Sequence, residues 1–367
     1  MFDRRLILNF DWTLLITTIL ISVLGVINLY SSTYPYTGTA TPLFIKQIYW
    51  FIIGSCFMAL IILFNYRTFI RLAYPLFVFC LFLLVMVMFF GRPSSGSQRW
   101  LQLGFISFQP SELTKIALIL SLTRFFTADE NPHGYGLRDL GVPFLLLAFP
   151  LLLIFKQPDL GTVGLLVLIY FSILAFMGLR RKTWITLGIG IAAAFPLFWH
   201  FLKDYQRTRL LTFINPDLDP LKTGYHIAQS KIAVGSGTLL GKGYLKGTQS
   251  QLHFLPEQHT DFVFSVWAEE WGFVGSFVLL FLFLLLISRG LKIASTSKDR
   301  AGALLAIGIS AMLFWQIFIN VGMVVGIVPV VGVPLPLFSY GGTAVITTMM
   351  GIGILMNVSM RRFMLSR

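Results

Sequence analysis

Long apolar runs separated by short polar breaks organise this chain. Ten of them stand out, at approximately 12–30, 44–64, 70–90, 111–127, 142–156, 160–178, 183–201, 263–288, 302–326 and 343–361. A helix rises about 1.5 Å per residue and the hydrocarbon layer is about 30 Å thick, so about 20 apolar residues suffice to span it. The runs at 111–127 and 142–156 are short for a span, and the parity of the count depends on both. The first run, Trp12 to Tyr30, has spanning length and no small-residue cleavage pattern, which makes it a retained helix and not a signal peptide. The pattern predicts an all-α polytopic membrane protein of about ten transmembrane helices, with one large loop between helices 7 and 8. No internal repeat, low-complexity tract or soluble domain interrupts it, so residues 1–367 are expected to form a single membrane domain.

Composition supports this. Of 367 residues, 56% are hydrophobic and 12% charged, whereas about a quarter are charged in soluble domains. The net charge of +13 is spread in short clusters between apolar runs instead of forming one patch, which speaks for topology and against nucleic acid. Arg4, Arg5, Arg67, Arg71, Arg138, Arg180 to Lys182, Arg289, Lys292, Lys298, Arg300, Arg361, Arg362 and Arg367 fall on one side of the predicted membrane. The short loops opposite carry only Lys46, Arg92, Arg99 and Lys156. Basic residues are retained on the cytoplasmic side, so both termini are expected inside and the 202–262 segment outside, its length exempting it from the rule. Cys56 and Cys80 both lie in apolar runs, where a thiol acts as a small hydrophobe and signals neither a disulfide nor a metal site.

Two outward segments are more than connectors. Residues 91–110 mix Gly, Pro and Ser with Trp100, Phe105 and Phe108, which suits a re-entrant-like loop against the bilayer interface. Residues 202–262 contain turn signals around Asn215 to Pro220, an amphipathic stretch from Tyr225 to Val234, and glycines at 235, 237, 241, 243 and 247. They predict a surface helix on the membrane followed by a tight glycine-rich loop.

The ionisable residues facing outward form three groups. Asp261 stands where a polar loop enters the eighth run; it is either a helix N-cap or a general base at a cavity mouth. Glu112 and Lys115, at i and i+3 of the fourth run, share one helix face. They form a simple ion pair or, since charge inside a membrane is costly and usually faces a cavity, a functional pair that keeps Lys115 charged near an anion. The third group is Arg99, Arg207, Arg209, Lys231, Lys242 and Lys246: singly a solvated surface, collectively suited to phosphate or pyrophosphate.

Other signals are weak. Gly241-Lys242-Gly243 lacks the spacing and Ser/Thr of a nucleotide loop. His226, His253 and His259 lack metal-ligand spacing. Glu269 and Glu270 are expected about two turns below Asp261 within the span, either with one facing the cavity or as a buried hydrogen-bonded pair; Lys156 and Asp159 share a short turn, and Gly341-Gly342 reads as a turn before the last helix.

Four stretches carry a family resemblance: QRWLQLGFISFQPSELTK at 98–115, KQPDLGT at 156–162, the whole of 209–275, and GVPLPLFSYGGT at 332–343. They resemble the SEDS family (shape, elongation, division and sporulation), and its elongation branch more than its division branch. The resemblance implies a ten-helix peptidoglycan glycosyltransferase that polymerises lipid II on the outer face of the bacterial cytoplasmic membrane during elongation and rod-shape maintenance. It places the family's essential aspartate on Asp261 and its cavity Glu and Lys on Glu112 and Lys115. It further implies a class B penicillin-binding protein and the elongation machinery as partners. A divalent cation (Mg or Mn) on Glu112 and Asp261 is left open as a cofactor. Two alternatives share the topology: a lipid II flippase, which predicts charges on both sides of the midplane and repeat symmetry, and a non-catalytic scaffold for a transpeptidase.

Overall fold

The structure is a computed structural model that describes residues 9–34, 42–94, 97–103, 106–128, 134–215, 219, 223–252, 254–255 and 257–362. Arg4, Arg5, His253 and Arg367 lie outside these residues. All ten apolar runs fall on helices: α1 (Trp12–Thr33), α2 (Leu43–Leu63), α4 (Ala73–Phe90) after the short α3 (Tyr66–Arg71), α5 (Pro110–Ala128), α6 (Gly141–Lys156), α7 (Leu160–Met177) and α8 (Arg181–Phe201). The chain continues through α9 (Asp204–Ile214), α10 (Thr223–Ser236) and α11 (Thr248–Gln251) to α12 (Val263–Ser295), α13 (Arg300–Val325) and α14 (Gly342–Arg361). Eight helices among the described residues are long and apolar enough to cross a membrane; α5 and α8 are not among them. α5 carries three charges, Glu112, Lys115 and Arg124, and most of its length is buried inside the bundle.

α13 and α14 form the centre, with α5, α7, α2 and α12 packed around them. Lipid-facing aromatics such as Phe79, Phe82, Phe277 and Phe281 remain exposed on the perimeter. Between helices in lipid, close backbone approach replaces the hydrophobic drive. At Gly353 of α14 an added Cβ would stand 3.1 Å from the Met58 carbonyl oxygen of α2, so glycine sets that spacing.

One end of the bundle is tied by charge. Asp11 caps α1 through the Leu14 N–H and accepts from Arg289 at 2.8 and 2.9 Å, and Asp299 caps α13 while accepting from Tyr66 and Arg67. Arg361 and Asn357 donate to the carbonyls that end α2, and Arg300 reaches Tyr135. The basic clusters expected on one side do gather at this end.

The opposite end, where α1 finishes at Thr33, holds three features that differ from the sequence expectations. Residues 92–108 contain a three-stranded antiparallel sheet, β1 (Arg92–Ser94), β2 (Ser97–Leu103) and β3 (Ile106–Phe108), in the order β1-β2-β3. Gly, Pro and Ser suggested a loop, but alternation along β2 leaves Gln98 and Gln102 exposed and Leu101 buried. Arg99 shares the face of Leu101 and therefore points inward. The helix expected on the membrane surface, α10, is instead wedged against α12 and α13: Ile227 and Ala233 are buried, and Ser230 donates to the Val324 carbonyl and meets Ser265 at 2.8 Å. Its apolar face matches the seam between two helices as well as it matches lipid.

The third feature is a break in α12 at Gly272 (φ 65°, ψ −159°). A broken helix within an apolar bundle exposes backbone groups that must be satisfied by protein. The glycine-rich loop supplies the partners: Lys242 and Gly243 N–H donate to the Glu269 and Glu270 carbonyls at 3.0 Å, and Phe273 and Val274 N–H donate to Thr238 and Leu239 at 2.9 and 3.1 Å. An added Cβ at Gly237 would lie 2.0 Å from the Ala268 oxygen, and at Gly241 (φ +79°) 2.1 Å from the Glu270 oxygen. Gly241→Ala should therefore cost about 2 kcal/mol or more, through overlap and positive φ together. A melting temperature in detergent lowered by several degrees checks it; an unchanged value would contradict this account of the loop.

Candidate active site

The break sets the course of the chain around Asp261. Asn28 of α1 donates to the Val263 carbonyl at 3.0 Å, and Ser31, one turn nearer the end of α1, donates to Glu270. Going from Val263 to Glu270 the chain thus moves toward the end of α1, and only after Gly272 does it turn back toward Arg289 and Asp11. Glu269 and Glu270 do not lie deeper than Asp261, as a continuous helix would require.

Asp261 is not a cap. Phe262 occupies the N-cap position of α12 with no side-chain cap bond, and no hydrogen bond from the described residues reaches the Asp261 carboxylate. Its loop turns tightly, with the Glu257 carbonyl accepting from the N–H groups of Thr260 and Asp261 at 3.1 Å and of Phe262 at 3.3 Å. A second loop, between α13 and α14, clamps it: Tyr340 N–H donates to the His259 carbonyl at 2.9 Å and Ser339 Oγ to the Thr260 carbonyl at 2.6 Å. Gly332 (φ +74°) lets that loop run beside the acid, since a Cβ there would stand 3.2 Å from Asp261 Oδ2.

Asp261 keeps partial exposure as a residue, while its carboxyl is closely surrounded. Burial pushes the carboxyl up to about 6; Glu257 adds to the rise, Arg209 and Arg99 oppose it, and Asp159 adds a little. The same two arginines line a narrow cleft with Gln206, Pro158 and Pro329. Arg99 is held there by Asp159 at 3.6 Å and by donation to the Gln157 and Pro158 carbonyls. Asp159 also caps α7 at Thr162 N–H and accepts from Gln109 Nε2 at 3.3 Å. The sequence suggested only a local turn at Asp159; its partners are 50 and 60 positions away and no spacing could reveal them.

Of the expected cations, Arg99 and Arg209 share one cleft and act on the Asp261 carboxyl through their charge. Arg207 donates to the Trp199 and His200 carbonyls at the end of α8, at 3.2 and 2.7 Å. Lys231 lies over Gly326 at the end of α13, where the helix dipole favours a cation. Lys242 binds the fully buried Glu269 at 2.7 Å, with Thr248, and so fastens the glycine-rich loop to the break. Lys246 is exposed. His226 stacks on Phe262 at 6.4 Å and His259 sits beside Tyr340; burial lowers the pKa of both.

Glu112 and Lys115 form a 2.7 Å ion pair at 3% and 1% exposure, sealed inside α5 and not lining the arginine cleft. They connect to it indirectly, through the start of α5, where Gln109 N–H donates to Thr343 Oγ1 of α14 at 3.2 Å and Gln109 Nε2 reaches Asp159. With Glu112 closed onto Lys115, the residues present do not form a divalent-cation cage; among the described residues no group of three or more His, Cys, Asp or Glu side chains is gathered to hold one.

A nearly all-helical polytopic membrane protein whose site holds a buried carboxyl, without a hydrogen bond from the described residues, near an arginine cleft is the class that fold and site define. The chain belongs to the FtsW/RodA/SpoVE family of cell cycle proteins, which it matches over residues 11–363. It is 50% identical over 296 residues to the peptidoglycan glycosyltransferase MrdB of Escherichia coli K12, covering 80% of this chain and 79% of that one. To the peptidoglycan glycosyltransferase RodA of Treponema pallidum it is 33% identical, covering 96% and 98%. Among solved structures it is similar to a chain of a peptidoglycan synthase complex that coordinates polymerization and crosslinking (TM-score 0.83, 34% identity, 96% and 98% covered). It is also similar to the rod-shape-determining protein RodA of Thermus thermophilus (TM-score 0.72, 30% identity, 97% and 98% covered).

Proposed function

We propose that this protein is a peptidoglycan glycosyltransferase that polymerises lipid II. The observation that carries it is the juxtaposition of Asp261, uncapped and raised to about 6, with the Arg99–Arg209 cleft. The reaction joins a sugar 4-hydroxyl to an anomeric carbon that bears a lipid pyrophosphate. It needs a base for the nucleophile and positive charge on the leaving group. Asp261 removes the hydroxyl proton as the new glycosidic bond forms; Arg99 and Arg209 take the charge of the departing lipid pyrophosphate. The donor is already activated, so no nucleotide is needed. The basic end of the bundle, with Arg67, Arg289, Arg300 and Arg361, is the cytoplasmic one by the positive-inside rule. This supports Asp261 acting at the outer face of the bacterial cytoplasmic membrane; the similarity to a rod-shape-determining protein supports a role in cell elongation, and that to a chain of a peptidoglycan synthase complex supports a class B penicillin-binding protein partner.

Polymerisation of labelled lipid II by the purified protein with its transpeptidase partner tests this: long glycan strands are expected, and lipid transfer across vesicles without polymer would favour a flippase. Arg99→Ala and Arg209→Ala should each lower kcat/KM by about 10- to 100-fold, the worth of one charge-assisted contact. Arg99→Lys should restore little, because a point charge cannot bridge Asp159 and a phosphate as a fork does. Steady-state kinetics against lipid II concentration would check both.

A further inference from the structure

α13 crosses the centre of the bundle almost wholly apolar, yet it carries two carboxamides one turn apart, Gln316 and Asn320, at 2% and 0% exposure. A buried amide destabilises a fold unless its bonds are made. Asn320 makes two with one nitrogen: Nδ2 donates to the Asp261 carbonyl oxygen at 3.0 Å and to the Val333 carbonyl oxygen at 2.8 Å. Both partners are acceptors, so the partners themselves fix which end of the amide faces them; reversing it would set Oδ1 against two oxygens. Oδ1 itself has no partner among the described residues.

Val333 follows Gly332, the residue whose backbone runs beside the Asp261 carboxyl. One amide therefore joins the residue that carries the carboxyl to the loop that walls it. The other ties between these loops hold His259 and Thr260, whereas Asn320 holds Asp261 itself. We propose that Asn320 is a positioning residue for the polymerisation reaction: its amide clamps Asp261 and Val333 at a fixed separation and so aims the Asp261 carboxylate at the acceptor hydroxyl. This rests on the reading of Asp261 as base. Without the two N–H groups, two carbonyl oxygens face each other across a dry gap and drift apart, and a misplacement of about 1 Å costs about 100-fold in rate.

The test uses the full-length protein with its transpeptidase partner and labelled lipid II, comparing wild type, Asp261→Asn, Asn320→Ala and Asn320→Asp. Asn320→Ala should keep its membrane level and a cooperative melt, lowered by a few degrees for the two carbonyls left unpaired, while kcat falls about 10- to 100-fold and KM changes less than about twofold. Asn320→Asp supplies a readout that a structural role would not move. Protonated, its carboxyl donates one bond to the clamp; ionised, it turns oxygens on both carbonyls. Its kcat should fall between about pH 6 and 9, where the wild-type rate is sustained. The ionisable groups on the elements packed around this part of α13 are Asp261 and His259 of the site loop, Glu269 and Glu270 of α12, His226 and Lys231 of α10, Glu112 and Lys115 of α5, and Asp159 at the start of α7. They are common to both proteins, so the difference between the two profiles reports position 320. Wild-type kcat in both variants, or a rate scaled equally at every pH, overturns the proposal. So does a variant that fails to fold, since Asn320 would then be needed for the fold and not for aim. Polymer formation by Asp261→Asn at the wild-type rate would instead overturn the base assignment, and this inference with it.

Discussion

Asp261→Asn should abolish glycan-strand formation, with a fall of about 10²- to 10⁴-fold, the usual worth of a general base, while insertion and fold persist. The substitution keeps the shape of a side chain that lies beside Gly332 and accepts no bond from the described residues, so no hydrogen bond among them is lost with its charge. The pH dependence has a definite sign. A base works ionised, so wild-type activity should fall as pH drops through about 6, and not near the ordinary carboxylate value. A raised carboxyl also weakens the fold whenever it is ionised. Above about pH 6 Asp261→Asn should melt at or above the wild-type temperature, and the gap should close as pH falls from 6 toward 4. A variant inactive because it is unfolded would show the reverse, a lower melting temperature, and would remove the support for Asp261 as base.

Glu112→Gln should be the most destabilising single charge change in the molecule. Lys115 is 1% exposed and its partner among the described residues is the Glu112 carboxylate at 2.7 Å, so removing the acid strands a cation in the bundle interior. Breaking one side of such a pair costs about 3–5 kcal/mol, and Lys115→Met should cost a similar amount by stranding the carboxylate. The double variant should recover much of the loss, because the desolvated charges go together. Thermal melting of the four proteins measures the cycle. Additive single effects would mean that the pair is open to water and reaches substrate directly. A large coupling would mean that it acts by holding α5, and through Gln109 the Asp159–Arg99 contact, in place.

Part of the candidate site was legible in the sequence, for identifiable reasons. Asp261 and the Glu112–Lys115 pair were visible because ionisable residues are rare in apolar helices, and i, i+3 spacing alone put the pair on one face. Asp159 and Asn320 were not. Asp159 looks like a turn residue and Asn320 like a tolerated polar residue in a span, and both acquire a role only through partners brought in from β2, α5 and the two site loops. Arg207, Lys231 and Lys242 looked equivalent to Arg99 and Arg209 by charge and side of the membrane. They differ because each is held by another element's end or acid: the end of α8, the end of α13, and Glu269.

By itself, the sequence determined the membrane class, the places of the apolar helices and the clustering of basic residues between them, and it singled out Asp261 as a candidate. These follow from local quantities: the length of apolar runs, the side on which arginine and lysine fall, and the rarity of charge within them. Only the tertiary structure decided the direction of the segment after Asp261. A single glycine in a left-handed conformation breaks α12, and the backbone groups it exposes are satisfied by a loop about 30 residues earlier. The ties between the two site loops set Asp261 beside Gly332 and within the field of Arg99 and Arg209, and the acid is uncapped because Phe262 begins the helix instead. Hydrophobic patterning records how much surface a residue buries; it carries no information on which distant carbonyl completes its hydrogen bonds, and that is what sets the geometry of this site.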